Sequence, residues 1–250
     1  MFHDIEQNTD SWLDLRSGKV TGSAISKIMA APRDLIIVLV SKGSYAIADM
    51  KTKKLFAKRY TNKVDADNAL INLKKSDLSK SFGEPAKQLA IDIALAQVTG
   101  KAQDNNYSNE HMERGHEQEP IARQRYEEGY FCDVLNGGFF DNGFTGCSPD
   151  GLVGEDGVIE IKSVIPSVQY KTVKRGTFDP AYRWQLIFNL RETGRSWIDY
   201  ISFCMDFPEN KKLFVQRINK SELIKEFEQI DLRLIEFKSL VDEIKQDILR

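Results

Sequence analysis

The chain has 250 residues, with 41% hydrophobic and 10% aromatic side chains and a formal net charge of -2. This composition excludes a disordered chain, and the absence of any apolar run of about 18 residues predicts that no membrane-spanning helix is present. A charge so close to zero also excludes the strongly basic proteins that coat nucleic acid, so any DNA contact has to come from a local patch or groove.

The first part of the chain predicts short helices followed by a strand. Residues 10–30 predict two short helical pieces joined by a Ser-Gly turn, and residues 35–40 (LIIVLV) form a continuous apolar run of strand length. The next stretch, MKTKKLFAKRYTNK, carries six basic residues and no acid. Such a run is either an ordinary solvated surface or a surface that contacts phosphates.

The remaining elements predict a mixed sheet covered by helices. Helices are predicted at 84–99, 109–128 and 180–192, and strands at 130–135, 143–148, 157–164, 197–205 and 212–218. Apolar residues at steps of four and three predict one long helix within 219–250, with Asn219 and Glu222 as a capping pair at its start. That apolar stripe can pack against the protein's own core or against another subunit. Because no internal repeat or long Gly/Ser linker is present, 1–250 is predicted to be a single domain.

The stretch GCSPDGLVGEDGVIEIKSV carries the main chemical signal. Side chains alternate faces along a strand, so Glu160 and Lys162 point the same way. Asp150 can approach Glu160 if 143–148 and 157–163 pair as neighbouring strands. Two adjacent carboxylates repel, and Mg²⁺, which prefers oxygen ligands, removes that repulsion. From these residues alone, a nuclease site and an ordinary exposed Glu/Lys pair both remain open.

Several blocks occur in an order that is typical of one family of nucleases. They are WLDLRSGKVTGSAISKIMA (12–30), ERGHEQEPIARQRYEE (113–128), CSPDGLV (147–153), IEIKSV (159–164) and YRWQLIFNL (182–190). Together they resemble the lambda-exonuclease family, or YqaJ-type viral recombinases, of the PD-(D/E)XK nucleases. The resemblance implies an α/β fold with a restriction-endonuclease-like core, in which helices flank a mixed central β-sheet. Family members are usually shorter between the first two blocks, so 31–83 is a possible insertion that faces DNA, faces a neighbouring subunit or is inert.

The resemblance also implies roles for individual residues. Asp150, Glu160 and the backbone carbonyl of Ile161 would ligate Mg²⁺, with Mn²⁺ as a possible substitute, and Lys162 would position or activate the attacking water. Glu119 would add acidic character near the metal. The residues implied to hold the 5′-phosphate or the nearby DNA backbone are Arg16, Ser23, Ser148 and Gln185.

Each of these roles has an ordinary structural alternative. Arg16 could pair with Asp10 or Asp14 on the surface, and Ser23 could cap the helix that follows it. Gln185 could be a plain polar position. Glu119 could be one more charge on a solvated helix.

Two further assignments rest on the neighbouring sequence. Glu113 and Glu117 compete with Glu119 for the acidic role, and Pro120 is what favours Glu119. The tryptophans of the first and last blocks are predicted to be core residues.

The implied function is a Mg²⁺-dependent exonuclease that degrades one strand of double-stranded DNA 5′→3′ from a 5′-phosphorylated end. It would leave 3′ single-stranded overhangs for phage-type recombination. The resemblance further implies a homotrimeric ring, a single-strand annealing protein as partner, and a cytoplasmic location, which the unpatterned cysteines and the polar N-terminus also favour. The alternatives are an endonuclease or nickase on the same fold and a catalytically inactive DNA-end-binding module.

Overall fold

The computed structural model of the chain describes residues 1–30, 35–49, 55–76, 81–101 and 110–250, and it has a mixed α/β architecture. The strands are β1 (Phe2–His3), β2 (Val20–Thr21), β3 (Leu35–Ser41), β4 (Ser44–Asp49), β5 (Leu55–Tyr60), β6 (Val134–Leu135), β7 (Phe139–Asn142), β8 (Thr145–Cys147), β9 (Gly151–Val153), β10 (Gly157–Ser163), β11 (Trp197–Phe203) and β12 (Leu213–Asn219). The helices are α1 (Asp10–Arg16), α2 (Ile25–Met29), α3 (Lys63–Ser76), α4 (Glu84–Thr99), α5 (Glu110–Tyr130), α6 (Pro166–Arg175), α7 (Arg183–Thr193) and α8 (Ile224–Leu249).

The central sheet has the strand order β12-β11-β10-β9-β6. β10 and β11 are parallel and the other neighbours are antiparallel, so the predicted mixed sheet is confirmed. The first five residues of β10 are all buried, because helices cover both faces of the sheet. This continuous burial makes β10 the strand on which a site can be shielded from water.

A second sheet has the order β1-β7-β8-β2 and corrects the predicted strand pairing. The segment 143–148 does not pair with 157–163, because β8 pairs with β7 and with β2 in this sheet. It is β9 that pairs antiparallel with β10, with Gly151 opposite Ile159. The physical reason is Pro149, which has no backbone N–H for a ladder and ends the pairing of this second sheet where the chain crosses to the central sheet.

The segment from β3 to α3 forms a subdomain around a third sheet. β3, β4 and β5 are antiparallel neighbours, and α3 packs against them through the fully buried Ala66. The predicted strand at 35–40 is therefore present, within a structure larger than a hairpin. Three lysines of the basic run, Lys51, Lys53 and Lys54, lie outside the described residues.

The C-terminal helix α8 packs against α4, α7 and α2 of the same chain. Its buried residues are Ile230, Leu234, Phe237, Leu240 and Val241, which confirms that the apolar stripe faces the protein's own core. The helix begins at Ile224, later than predicted, because residues 220–222 form a 3-10 turn. Asn219 donates to the Glu222 side chain at 2.9 Å and makes no side-chain cap to the helix backbone.

Two other predicted boundaries were wrong, and one helix was not predicted. The strand expected at 130–135 is confined to β6, because α5 continues to Tyr130, whose ring stacks on Tyr126 with centroids 4.7 Å apart. The single helix expected at 180–192 is a 3-10 turn at 180–182 followed by α7. Helix α6 was not predicted, although Pro166 in its first turn and Gly176 after its end are helix-boundary signals. None of the described helices is both long and apolar enough to cross a bilayer.

Candidate active site

Asp150, Glu160 and Lys162 meet at the junction of β9 and β10. Glu160 is 1% exposed, and its Oε1 accepts a hydrogen bond from Lys162 Nζ at 2.6 Å. Asp150 lies just before β9, and its Oδ2 accepts from the backbone N–H of Ile161 at 2.5 Å. The antiparallel pairing of β9 with β10 therefore brings together the three groups that the sequence predicts to be catalytic.

The electrostatics of this cluster are those of carboxylates forced close together. Burial, the charge of Glu160 and the charge of Glu119 raise the pKa of Asp150 well above its ordinary value, against the opposing effect of Lys162. Burial disfavours the charged form of Lys162, but Glu160 and Asp150 outweigh it and raise the pKa of the lysine above its ordinary value. At neutral pH the lysine is a cation, and Asp150 is the carboxyl group whose charged form the site disfavours.

Helix α5 supplies the third carboxylate. It packs against β10, and the half-buried Glu119 is close enough to raise the pKa of Asp150. The competitor Glu117 is exposed, and the side chain of Glu113 lies outside the described residues. One turn beyond Glu119, Arg123 donates to the backbone carbonyl of Asp150. The helix thus contributes both a charge and a backbone clamp to the site.

Helix α7 provides two amides that bind the Glu160 carboxylate. Gln185 Nε2 donates to Glu160 Oε1 at 2.5 Å, so the residue expected to contact DNA instead binds the carboxylate of Glu160. Asn189 Nδ2 donates to Glu160 Oε2 at 2.7 Å, and this contact was missed from the sequence. The spacing was the available signal, because residues four apart lie on the same face of a helix.

Arg16, Trp12 and Ser148 form a second cluster, beside the carboxylates. The Arg16 guanidinium lies 3.9 Å above the Trp12 ring, and Trp12 Nε1 donates to Ser148 Oγ at 2.7 Å. Within the described residues Arg16 pairs with no carboxylate, so the predicted alternative of a pair with Asp10 or Asp14 is absent. Burial lowers the pKa of Arg16 to about 10, which leaves it charged at neutral pH. A charged, partly buried arginine without a counterion is suited to bind an anion.

Ser23 follows strand β2, at the same end of this sheet as Ser148. The parallel register of β2 and β8 puts Thr21 opposite Gly146, and Ser23 and Ser148 each follow two residues later, beyond the ends of the two strands. Ser23 is exposed, with its Oγ 3.5 Å from Thr21 Oγ1. Helix α2 has no side-chain cap, so Ser23 does not serve the capping role that was its alternative. The cluster of Arg16, Trp12, Ser23 and Ser148 is called the anion cluster below.

The oxygen atoms of the carboxylate cluster fit a hard divalent cation. No group of three or more His, Cys, Asp or Glu side chains with metal-site geometry occurs within the described ranges, so side chains alone do not complete a cage. Mg²⁺ is normally held by one or two carboxylates with water filling the other positions. Asp150 and Glu160, with the Ile161 carbonyl between Glu160 and Lys162, supply that kind of incomplete oxygen set, and a cation bound there would offset the burial and the carboxylate repulsion that raise the pKa of Asp150.

The mixed α/β architecture of the chain matches that of solved exonuclease structures. The structure matches the alkaline exonuclease LHK-Exo from Laribacter hongkongensis with a TM-score of 0.65 and 24% identity, covering 96% of this chain and 98% of that one. The structure of LHK-Exo in complex with dAMP matches with a TM-score of 0.64 and 26% identity, covering 96% of this chain and 98% of that one. A phage-related exonuclease from Haemophilus somnus 129PT matches with a TM-score of 0.55 and 16% identity, covering 92% of this chain and 96% of that one.

The sequence itself identifies the family. The YqaJ-like viral recombinase domain matches residues 11–196, which is most of the chain. The chain therefore belongs to the YqaJ-like viral recombinase family, and the resemblance found in its motifs is confirmed. No curated protein matches the sequence significantly.

Proposed function

We propose that the chain is a Mg²⁺-dependent exonuclease that degrades one strand of double-stranded DNA 5′→3′ from a 5′-phosphorylated end. The observation that carries the proposal is the junction of β9 and β10, where Lys162 Nζ lies 2.6 Å from Glu160 Oε1 beside the buried Asp150. Two carboxylates and a lysine in a shielded site are suited to hydrolysis of a phosphodiester. Membership of a recombinase family makes DNA the substrate to test first.

Asp150, Glu160 and the Ile161 carbonyl would hold Mg²⁺, or Mn²⁺ in its place, with Glu119 acting through water or a second ion. Bound there, the metal supplies charge neutralisation at the phosphate and lowers the pKa of a water molecule. Lys162 is placed to orient the attacking water or to contact the scissile phosphate. Gln185 donates to Glu160 and so holds a metal-ligating carboxylate in place.

The anion cluster supports a preference for DNA ends. A 5′-phosphate carries more negative charge than an internal phosphodiester, and Arg16 is a cation without a carboxylate partner among the described residues. Ser23 and Ser148 supply hydroxyl groups at the same place. Only Pro149 separates Ser148 from Asp150, so a phosphate bound at the cluster would lie close to the carboxylates.

The subdomain from β3 to α3 offers a second surface to DNA. Lys58, Arg59 and Tyr60 line a cleft of about 380 Å³ together with Asn68 and Asn72 of α3 and with Asp65. Within the described residues Lys58 and Arg59 pair with no carboxylate, whereas Asp65 is bound by Asn62 at 2.8 Å. Unpaired cations beside an aromatic ring suit a phosphate backbone with its bases. We therefore propose that this segment faces DNA.

The wider setting follows the same proposal. The chain would work as a homotrimeric ring around DNA, hand its 3′ single strand to an annealing protein, and act in the cytoplasm of a bacterial host during phage-type recombination. A ring would help a chain of net charge -2 stay on DNA, because a closed ring that encircles the duplex remains on it with less electrostatic attraction. Light scattering that gave a monomer at micromolar concentration would contradict the ring.

The test is digestion of a linear duplex that carries a 5′-phosphate at one end and a 5′-hydroxyl at the other. The protein is incubated with Mg²⁺ or with EDTA, and a supercoiled circle is treated in parallel. Lys162→Ala is compared with Lys225→Ala, which removes an exposed lysine of α8. We expect loss of one strand from the phosphorylated end, an intact circle, no reaction in EDTA and an inactive Lys162→Ala variant.

Other results would select the alternatives. A nicked or linearised circle would indicate an endonuclease or nickase on the same fold. DNA that is bound but never cut by the wild-type protein would indicate a DNA-end-binding module. Digestion of a strand from its 3′ end would contradict the proposed direction.

A further inference from the structure

We infer that Asn189 is a positioning residue that holds Glu160 in its metal-binding orientation, and that Gly22 exists to make room for it. The inference rests on the proposed metal-dependent function and adds two residues to its machinery. Neither residue belongs to the set that the sequence motifs predict.

The first observation is that the two oxygens of Glu160 have different partners. Oε1 accepts from both Lys162 and Gln185, at 2.6 and 2.5 Å. Oε2 accepts from Asn189, at 2.7 Å. Gln185 and Asn189 donate from the same helix to different oxygens, so Asn189, as the donor to Oε2, fixes rotation of the carboxylate about its own axis. A metal ligand whose second oxygen is anchored presents its first oxygen in a defined direction.

The second observation is that Gly22 packs directly against the buried side chain of Asn189. It is 1% exposed, and a Cβ placed on Gly22 would lie 2.2 Å from Asn189 Oδ1. No hydrogen-bond partner of Oδ1 is found in the described part of the chain. A buried amide oxygen without a partner is unfavourable, so it calls for a reason beyond packing. Holding the Nδ2 group on Glu160 is such a reason.

The third observation concerns the backbone of α7 at the same residue. The Cys147 thiol donates to the Asn189 carbonyl at 3.8 Å, which fastens this turn of α7 to β8. β8 pairs in parallel with β2, the strand that leads into Gly22. Gly22, Cys147 and Asn189 therefore form one packed unit between the second sheet and the catalytic glutamate. The unit links the strands of the anion cluster to the carboxylate cluster.

The test measures metal binding without DNA, so that it does not depend on catalysis. Mn²⁺ is titrated into the wild-type protein and into Asn189→Leu, which keeps the branched shape of the side chain, is somewhat larger, and removes its donor. Loss of an outer contact to a metal ligand typically weakens metal binding by about 10- to 100-fold, and we expect a loss in that range. The melting temperature without metal should change little, because the leucine also removes the unpartnered Oδ1.

Gly22→Ala provides an independent approach that leaves Asn189 in the chain. The added methyl group should displace the amide and weaken Mn²⁺ binding as Asn189→Leu does. In the Asn189→Ala background the same change should have little effect, because the space is already free; this non-additivity is the signature of contact. The matched control is Gly129→Ala, where an added Cβ meets nothing within 4 Å. If Asn189→Leu does not fold, Asn189→Ser replaces it.

The outcomes separate this inference from the function on which it rests. If wild-type protein cleaves DNA and binds Mn²⁺ while Asn189→Leu and Gly22→Ala bind it equally well, the positioning role is wrong and the function stands. A lower melting temperature with unchanged Mn²⁺ binding would make Asn189 a purely structural residue. If the wild-type protein neither binds Mn²⁺ nor cleaves DNA, the proposed function and this inference are both overturned.

Discussion

Replacement of Arg16 by methionine should abolish the preference for a 5′-phosphate while the protein remains folded. The guanidinium lies 3.9 Å above the Trp12 ring and has no carboxylate partner in the described residues. Methionine keeps a long side chain over that ring, so packing is largely preserved. Because the arginine is a buried cation without a counterion, its removal should not lower the free energy of unfolding.

The size of the effect follows from the contacts that the phosphate would lose. Hydrogen bonds to a charged group contribute about 1.5–3 kcal/mol, which corresponds to a factor of about 10 to 150 in rate or affinity. We therefore expect the wild-type protein to digest a 5′-phosphorylated duplex about 10- to 150-fold faster than a 5′-hydroxyl duplex. In Arg16→Met this ratio should fall close to one.

The assay is single-turnover digestion of the two duplexes by wild-type protein, Arg16→Met and Arg250→Met, the last of which removes an arginine side chain that is 77% exposed. Arg16→Lys should give an intermediate ratio, since lysine keeps the charge but not the planar fork. A wild-type ratio that persists in Arg16→Met would refute the assignment of the anion cluster. So would an equal loss in Arg250→Met.

Three other predictions address the core, the metal and the subdomain. Phe237→Ala removes a fully buried ring that packs edge-on against Phe82, and urea unfolding should show that the free energy of unfolding falls by about 3–5 kcal/mol. The control Leu249→Ala, at 70% exposure on the same helix, should change this free energy by less than about 0.5 kcal/mol, and equal losses would contradict the packing. Asp150→Asn should raise the melting temperature of the metal-free protein, because it removes a carboxylate whose pKa is raised by burial and by Glu160. The variant should also lose the increase in melting temperature that Mg²⁺ produces in the wild-type protein. A variant that Mg²⁺ still stabilises fully would exclude Asp150 as a ligand. Lys58→Glu with Arg59→Glu should reduce the slope of log affinity for DNA against log salt by about two, and an unchanged slope would exclude the cleft from the DNA interface.

The proximity of Asp150, Glu160 and Lys162 could be predicted from the sequence because two local patterns coincide there. Alternation along β10 puts Glu160 and Lys162 on one side, and the Pro149-Asp150 pair precedes a short turn. The long apolar stripe of α8 was predicted for a similar reason, since a helical period repeated over 26 residues leaves no other interpretation. Strong periodicity and fixed spacing are properties of nearby residues, and a sequence records them directly.

The strand pairing could not be predicted in the same way. β9 has three residues, too few to show a period, and Pro149 transfers the chain between sheets at a point where the sequence gives only a turn signal. The contact from Trp12 to Ser148 joins residues 136 positions apart, and the contact from Asn189 to Glu160 spans 29. Such contacts depend on how whole elements pack. The sequence therefore predicts only a core position for Trp12 and no role for Asn189.

The connection between the two clusters is an argument for an exonuclease over an endonuclease. Ser148 belongs to the anion cluster and Asp150 to the carboxylate cluster, so at most about 7 Å of extended backbone separates them. Phosphates along one strand of B-DNA are about 3.4 Å apart in axial rise, so the anion cluster lies one or two nucleotide steps from the carboxylates.

The short link is also held rigidly on both sides. Gln7 donates to the Pro149 carbonyl at 2.9 Å, and Arg123 donates to the carbonyl of Asp150. A Cβ on Gly137 would lie 1.7 Å from the Pro149 carbonyl oxygen, so the neighbouring backbone leaves the link no space to move. An endonuclease has no use for a phosphate pocket fixed at this distance, because the strand continues through its site. An enzyme that removes nucleotides from an end needs a stop for the terminal phosphate, and the rigid link through Pro149 to Asp150 would provide one under the proposed function.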